Sequence, residues 1–253
     1  MYLDVRSIEA ADAAELYLTA APRAGADTHQ QAEETFSGIR EALLAAGARI
    51  FEERVFATED AVQAISAIRS EVYGPLDDGV APTRLAVPRG ALGDLAGVQI
   101  HAVRAPQVCG VLRCEGSACG RILRRDGTSY ISISGLSAAE AGSAPAQARA
   151  IFEKAESVLQ QVGGNMLSVA RTWLWLGDIL SWYRDFNGVR TQFFIERGLM
   201  NGRPGDNRLP ASTGIGVKPA ALLHASWEGE GSGWGTRRRY LVEVIPVDQC
   251  EHR

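Results

Sequence analysis

Several things are scarce in this sequence. Only four cysteines occur in 253 residues: Cys109, Cys114 and Cys119 lie five apart and Cys250 stands alone near the end. No CxxC pair is formed, so no zinc site is indicated, and reduced, partly buried thiols are expected. No apolar run approaches the ~18–20 residues that cross a bilayer. The segment Met1-Tyr2-Leu3-Asp4-Val5-Arg6 lacks the basic region and apolar stretch of a signal peptide. A soluble, cytoplasmic chain without a membrane partner is therefore expected. Basic charge is not in excess either, with 26 Lys+Arg against 30 Asp+Glu and a net charge of −4. That excludes the basic footprint of a nucleic-acid binder. The one dense basic cluster, Arg237-Arg238-Arg239 beside Trp234 and Tyr240, reads as a solvated loop or strand end. Walker, GxGxxG and HExxH motifs and a Ser/His/Asp triad are missing. Phosphoryl transfer, hydride transfer and zinc hydrolysis lose most of their support with them, and neither a metal nor a cofactor is expected.

What is present is a globular balance, 46% hydrophobic and 22% charged, arranged in a repeating order. Residues 15–22 read as a strand stopped by Pro22. A helix follows over Thr28–Ala46, with Ala32, Phe36, Ile39, Leu43 and Leu44 on one face and Gly47 at its end. Residues 50–58 alternate as a half-buried strand. Glu59 or Asp60 opens a second helix that ends near Gly74, and residues 82–87 and 97–103 supply two more strands. The second half keeps this order. A hairpin over 120–134 turns at Asp126-Gly127, and a helix over 146–162 ends at Gly163-Gly164. A strand over 167–176 leads to a helix with Asp178 as N-cap, and strands over 210–217 and 221–227 close the unit. The fold class is thus α+β: two tandem units, 1–104 and 105–253, each a mixed sheet with two helices packed on one face. Residues 198–208 form a long irregular insert, suited to a lid or a subunit contact.

Each unit resembles the Rid superfamily (the YjgF or L-PSP endoribonuclease-like fold). The resemblance rests on Ala45-Ala46-Gly47-Ala48 and Pro82-Thr83-Arg84 in the first unit. In the second it rests on Ile133-Ser134-Gly135-Leu136, Gly163-Gly164 and Pro210-Ala211-Ser212. It implies a homotrimer with pockets between subunits, and an arginine in a Pro-Ala-Arg motif that holds a substrate carboxylate while water attacks an imine. Arg84 stands at that position, and its planar, permanently charged fork suits a carboxylate. A surface arginine at a strand edge is the plainer alternative. The second unit has Ser212 there. The family's acidic residue on the last strand is absent, its nearest counterparts being Gln99 or His101 in one unit and His224 in the other.

A narrower stretch is similar to the chorismatases, which carry two Rid-like domains and split the enolpyruvyl group from chorismate. It comprises Trp173-Leu-Trp175-Leu-Gly-Asp178, Tyr183-Arg184-Asp185-Phe186 with Arg190, and Leu209 to Gly216. Two departures are evident: the stretch lies in the second unit here, and Asn187 stands where some chorismatases have cysteine. In the residues themselves, Arg171, Trp173 and Trp175 share one strand face, and Tyr183, Asn187 and Arg190 share one helix stripe. Aromatic area beside fixed cations suits a flat anionic ligand, although Trp173, Trp175, Trp182 and Phe186 serve equally as core or interface. The expectation is a metal-free enzyme adding water to an imine, enamine or enol ether of a planar carboxylate metabolite. Tyr183, Ser212 and Thr213 are the candidate catalytic residues, and Arg84, Arg171, Trp173, Asn187 and Arg190 the candidate substrate-binding residues. The alternatives are chorismatase-like cleavage and a non-catalytic binder.

Overall fold

The computed structural model describes residues 1–11, 13–125, 127–136, 138–203, 205–217, 230–233 and 236–239. The chain is α+β and divides into two compact units, Met1–Cys109 and Gly110–Arg253, where the sequence pattern alone places the division at 104/105.

In the first unit the strands are β1 (Tyr2–Glu9), β2 (Ala14–Ala21), β3 (Arg49–Ala57), β4 (Thr83–Ala86) and β5 (Leu95–Arg104). They form one sheet in the order β1-β2-β5-β3-β4. Only β3 and β4 run parallel, joined by the crossover helix α2 (Val62–Tyr73). Helix α1 (Thr28–Ala46) begins where the Asp27 carboxylate accepts from Gln30 N and ends at Gly47, whose φ of 61° is the left-handed turn glycine adopts without strain. Alternation in β2 puts Leu16, Leu18 and Ala20 on the helix side, where they meet Phe36, Ile39 and Leu43 of α1 in one buried cluster. Each large apolar side chain so buried contributes about 1.5–3 kcal/mol. Asp94 ties three elements together: its carboxylate accepts from Thr28 Oγ1 at α1 (2.5 Å) and Thr58 Oγ1 after β3 (2.8 Å), and it pairs with Arg89 (2.5 Å).

The second unit opens with an antiparallel sheet, β6 (Gly110–Cys114), β7 (Ser117–Arg125) and β8 (Thr128–Ile133). Helix α3 (Ala144–Gln161), strand β9 (Arg171–Gly177), helix α4 (Ile179–Glu196) and strand β10 (Ala211–Val217) follow, with β10 parallel to β9. A hairpin of β11 (Glu230–Gly233) and β12 (Thr236–Arg239) completes the described strands, so Arg237–Arg239 lie on a strand. Phe152 of α3 stacks on Phe193 of α4 at 5.2 Å, and Arg197 grips Glu156 across the same seam at 2.8 Å.

The elements depart from the sequence pattern at four places. Strand β1 was not expected, because its Leu-Asp-Val-Arg-Ser alternation carries charge on one face and few large apolar residues on the other. Strand β6 occupies what reads as a joining segment. Residues Met166–Ser168 form a 3-10 turn, so the strand begins only at Arg171. Asp178 precedes α4 but is no side-chain cap: it sits at φ 43° with its carboxylate bonding no helix N–H. Trp182 Nε1 instead donates to Gly177 O at 2.8 Å, closing the strand–helix corner. The expected strand over 221–227, with His224, and Trp234, Tyr240 and Cys250 lie outside the described residues. No helix among the described residues is long and apolar enough to cross a membrane.

Candidate functional site

In the first unit, parallel pairing sets Arg84 opposite Val55 and therefore on the helix side of the sheet, under α2. Its neighbour there is a buried polar cluster. The Glu53 carboxylate accepts from Arg69 Nε (2.6 Å) and lies 2.6 Å from Arg69 Nη2, while the Tyr73 hydroxyl donates to its other oxygen at 2.9 Å. Asp77 meets Arg69 Nη1 at 3.2 Å. Burial alone would lower the Arg69 pKa, but the Glu53 charge and hydrogen bond outweigh it and raise the value. Burial likewise pulls the Asp77 carboxyl upward, against the Ser70 hydrogen bond and the Arg69 charge, which together hold it below its ordinary range.

Arg84 shares this environment without a carboxylate. It is half-buried, and its guanidinium approaches only Gln63 Oε1, at 3.5 Å, the outer limit of a hydrogen bond. Its Nε is buried with no acceptor among the described residues. Burial first, and then the Arg69 charge, lower its pKa. Both effects disfavour the cation, and an anion would relieve both.

The opposite face of the same sheet carries a second polar group. His101 stacks on Tyr17 at 4.7 Å and meets Glu15 Oε2 at 3.1 Å, Tyr17 donates to that oxygen at 2.7 Å, and Phe51 packs edge-on to His101. Sequence reasoning singled out His101 but not Glu15 or Tyr17, because strand pairing, not sequence distance, unites them. Cross-strand register would have been the signal: Tyr17 lies directly opposite His101. Arg84 and His101 are on opposite faces, so they do not converge on one ligand.

In the second unit the residues nominated on β9 and β10 divide between two faces. Thr172, Leu174 and Leu176 point toward α4, and Ser212, Gly214 and Gly216 point the same way by register. Ser212 Oγ lies 2.6 Å from Thr172 Oγ1. Arg171, Trp173 and Trp175 point to the other face, with Thr213 beside Trp173. There the two indoles stack at 6.3 Å and 15°, and the Arg171 guanidinium lies 5.0 Å from the Trp173 ring. Trp175 Nε1 is buried without an acceptor among the described residues.

On α4, Tyr183 and Arg190 each pack against Phe186, at 6.4 Å and 5.8 Å, and the Asn187 Oδ1 beside them is buried and without a donor among the described residues. Phe186 itself is fully buried against the core that includes Leu174. The helix stripe is thus a group, the strand face is another, and β9 lies between them. Tyr183, Ser212 and Thr213 are not gathered around one point. No cluster of three or more His, Cys, Asp or Glu side chains suited to a metal occurs among the described residues.

No protein-family model matches the chain, and no curated protein matches it either.

Proposed function

We propose that the protein is a metal-free small-molecule enzyme of the Rid type, adding water to an imine or enamine of a planar carboxylate metabolite, with Arg84 holding the carboxylate. One observation carries this reading: a half-buried guanidinium beside Arg69, its Nε unbonded, with no carboxylate partner among the described residues. A carboxylate bound there accepts charge-assisted hydrogen bonds worth about 1.5–3 kcal/mol. Water then adds to the imine carbon, and the tetrahedral carbinolamine expels ammonia to leave a 2-oxo acid. The family resemblance supplies the reaction class, and with it a homotrimeric assembly. The test is hydrolysis of an α-imino acid by the wild type and by Arg84→Ala and Arg190→Ala. Loss of at least about tenfold in kcat/KM in Arg84→Ala supports the assignment. No turnover in the wild type, or full turnover in Arg84→Ala, overturns it.

A second reading, chorismatase-like cleavage of an enol ether in the second unit, is favoured by the stacked Trp173 and Trp175 under Arg171. Those rings and that cation suit a flat carboxylate, whether the protein turns it over or only binds it. Release of pyruvate from an enolpyruvyl ether, abolished in Arg171→Ala, would favour this reading over imine hydrolysis.

A further inference from the structure

The first unit's sheet ends on a long strand whose outer side pairs with no strand among the described residues. Strand β1 pairs along its whole length with β2 and with no other described strand. Its three large exposed apolar residues are Tyr2 (63%), Val5 (44%) and Ile8 (62%). Unpaired edges of this length are usually shortened, bent or protected by proline or lysine. β1 contains neither, and its charges have a particular order: Asp4 and Arg6 share the face that carries Tyr2 and Ile8, and Val5 between them lies on the other face.

We propose that β1 pairs antiparallel with β1 of a second copy of this chain, with the two-fold axis through Val5. Two identical edges paired antiparallel are related by an axis perpendicular to the sheet, so opposed residues must share a face. The axis then passes through a residue and not between two. Placed at Asp4 it opposes two carboxylates, and placed at Arg6 it opposes two guanidinium groups. Placed at Val5 it opposes Asp4 to Arg6 twice and Tyr2 to Ile8 twice, and sets Val5 against Val5. All three exposed apolar residues gain partners at once. Within each strand Arg6 already pairs with Asp4 at 3.0 Å. The four charges therefore alternate in sign around the axis. Opposite charges and apolar pairs directly across a strand ladder are stabilising, and like charges there are not. The sheet order makes the product one continuous ten-stranded sheet from two five-stranded ones, an isologous contact that each β1 edge makes with one partner edge.

The experiment is sedimentation equilibrium of the full chain, with circular dichroism as the folding control. The variants are Asp4→Arg, Arg6→Asp and the double exchange Asp4→Arg/Arg6→Asp. The wild type is expected at twice the mass of either single variant if the rest of the molecule is monomeric, and at twice or more if it is trimeric. Each single exchange weakens pairing at least about tenfold, because it turns two attractive cross-strand contacts repulsive, and the double exchange restores it. Val5→Cys should in addition form an oxidised intermolecular disulfide that Ser7→Cys does not, since only residue 5 faces itself. A wild type with the mass of the single variants, single variants with the mass of the wild type, or a double variant that stays dissociated overturns the proposal. Imine hydrolysis measured on the same samples keeps this result separate from the assignment of Arg84.

Discussion

The segments β3–α2–β4 and β9–α4–β10 have the same local plan, two parallel strands joined by a helix that packs on them, yet they fill the space between strand and helix in opposite ways. In the first, a carboxylate, a guanidinium and a phenol are buried together as Glu53, Arg69 and Tyr73, with Arg84 beside them. In the second, the space holds Leu174, Leu176, Trp182, Phe186 and Phe193, and the polar contact it shows between the strands is the Thr172–Ser212 hydroxyl pair. The strand pairing shows why. Arg84 and Ser212 follow a proline and one further residue and take the same place on β4 and β10, one residue into the parallel ladder. A half-buried cation at that place calls for polar neighbours; a serine permits an apolar seam. An anion site is therefore an expectation for the first segment and not for the helix side of the second.

The comparison breaks first at its polar end. Glu53→Ala leaves Arg69 with its main counter-charge removed and should destabilise the first unit by about 3–5 kcal/mol in urea unfolding. A loss below about 1 kcal/mol would mean that water or a rearranged Asp77 replaces the carboxylate. At the apolar end, Phe186→Ala should cost the second unit a similar 3–5 kcal/mol or so, through the cavity it opens. A smaller effect is expected at the strand. A Cβ on Gly216 would stand 2.6 Å from Ile179 Cγ2, so Gly216→Ala should cost about 1–3 kcal/mol by overpacking. Ser212→Ala should cost only about 1 kcal/mol, the worth of one neutral hydrogen bond, and leave imine hydrolysis unchanged.

Acid sharpens the contrast further. The Thr28 hydroxyl, then the Thr58 hydroxyl and Arg89, hold the Asp94 carboxyl below its ordinary value, and Asp77 is held down as well. A carboxylate depressed on folding contributes stability above its unfolded pKa, near 3.9, and loses it as pH falls through the lower folded value. The first unit should therefore lose stability below about pH 4, and Asp94→Asn should flatten that dependence in pH-resolved thermal unfolding. In the second unit Arg149, and then Gln192, hold the exposed Glu196 carboxyl down to about 2. Its contribution fades between about pH 4.5 and 2, and Glu196→Gln should remove that portion alone.

Much of the fold was legible because it depends on local pattern. The α1 boundaries followed from its apolar spacing and Gly47, β3 from its alternation, and β2 and β10 from strand pattern with a proline beside them. Strand β1 was hidden because an edge strand needs no apolar face, and the end of α4 at Glu196 is fastened by Arg149 and Arg197, which periodicity does not weigh. The candidate site was legible in part. Arg84, and the stripe of Tyr183, Asn187 and Arg190, are where spacing puts them. The division of Ser212 from Thr213, and of Arg171 and Trp173 from the helix, depends on which strand face meets α4. That is fixed by tertiary packing and not by spacing along the chain.

Whether Arg84 holds a carboxylate can be read most directly by calorimetric titration of a 2-oxo acid into the wild type and Arg84→Ala, with Arg190→Ala as control. Binding to the wild type and to Arg190→Ala, weakened roughly tenfold or more in Arg84→Ala, is the expected result. Equal affinity in all three proteins would contradict it.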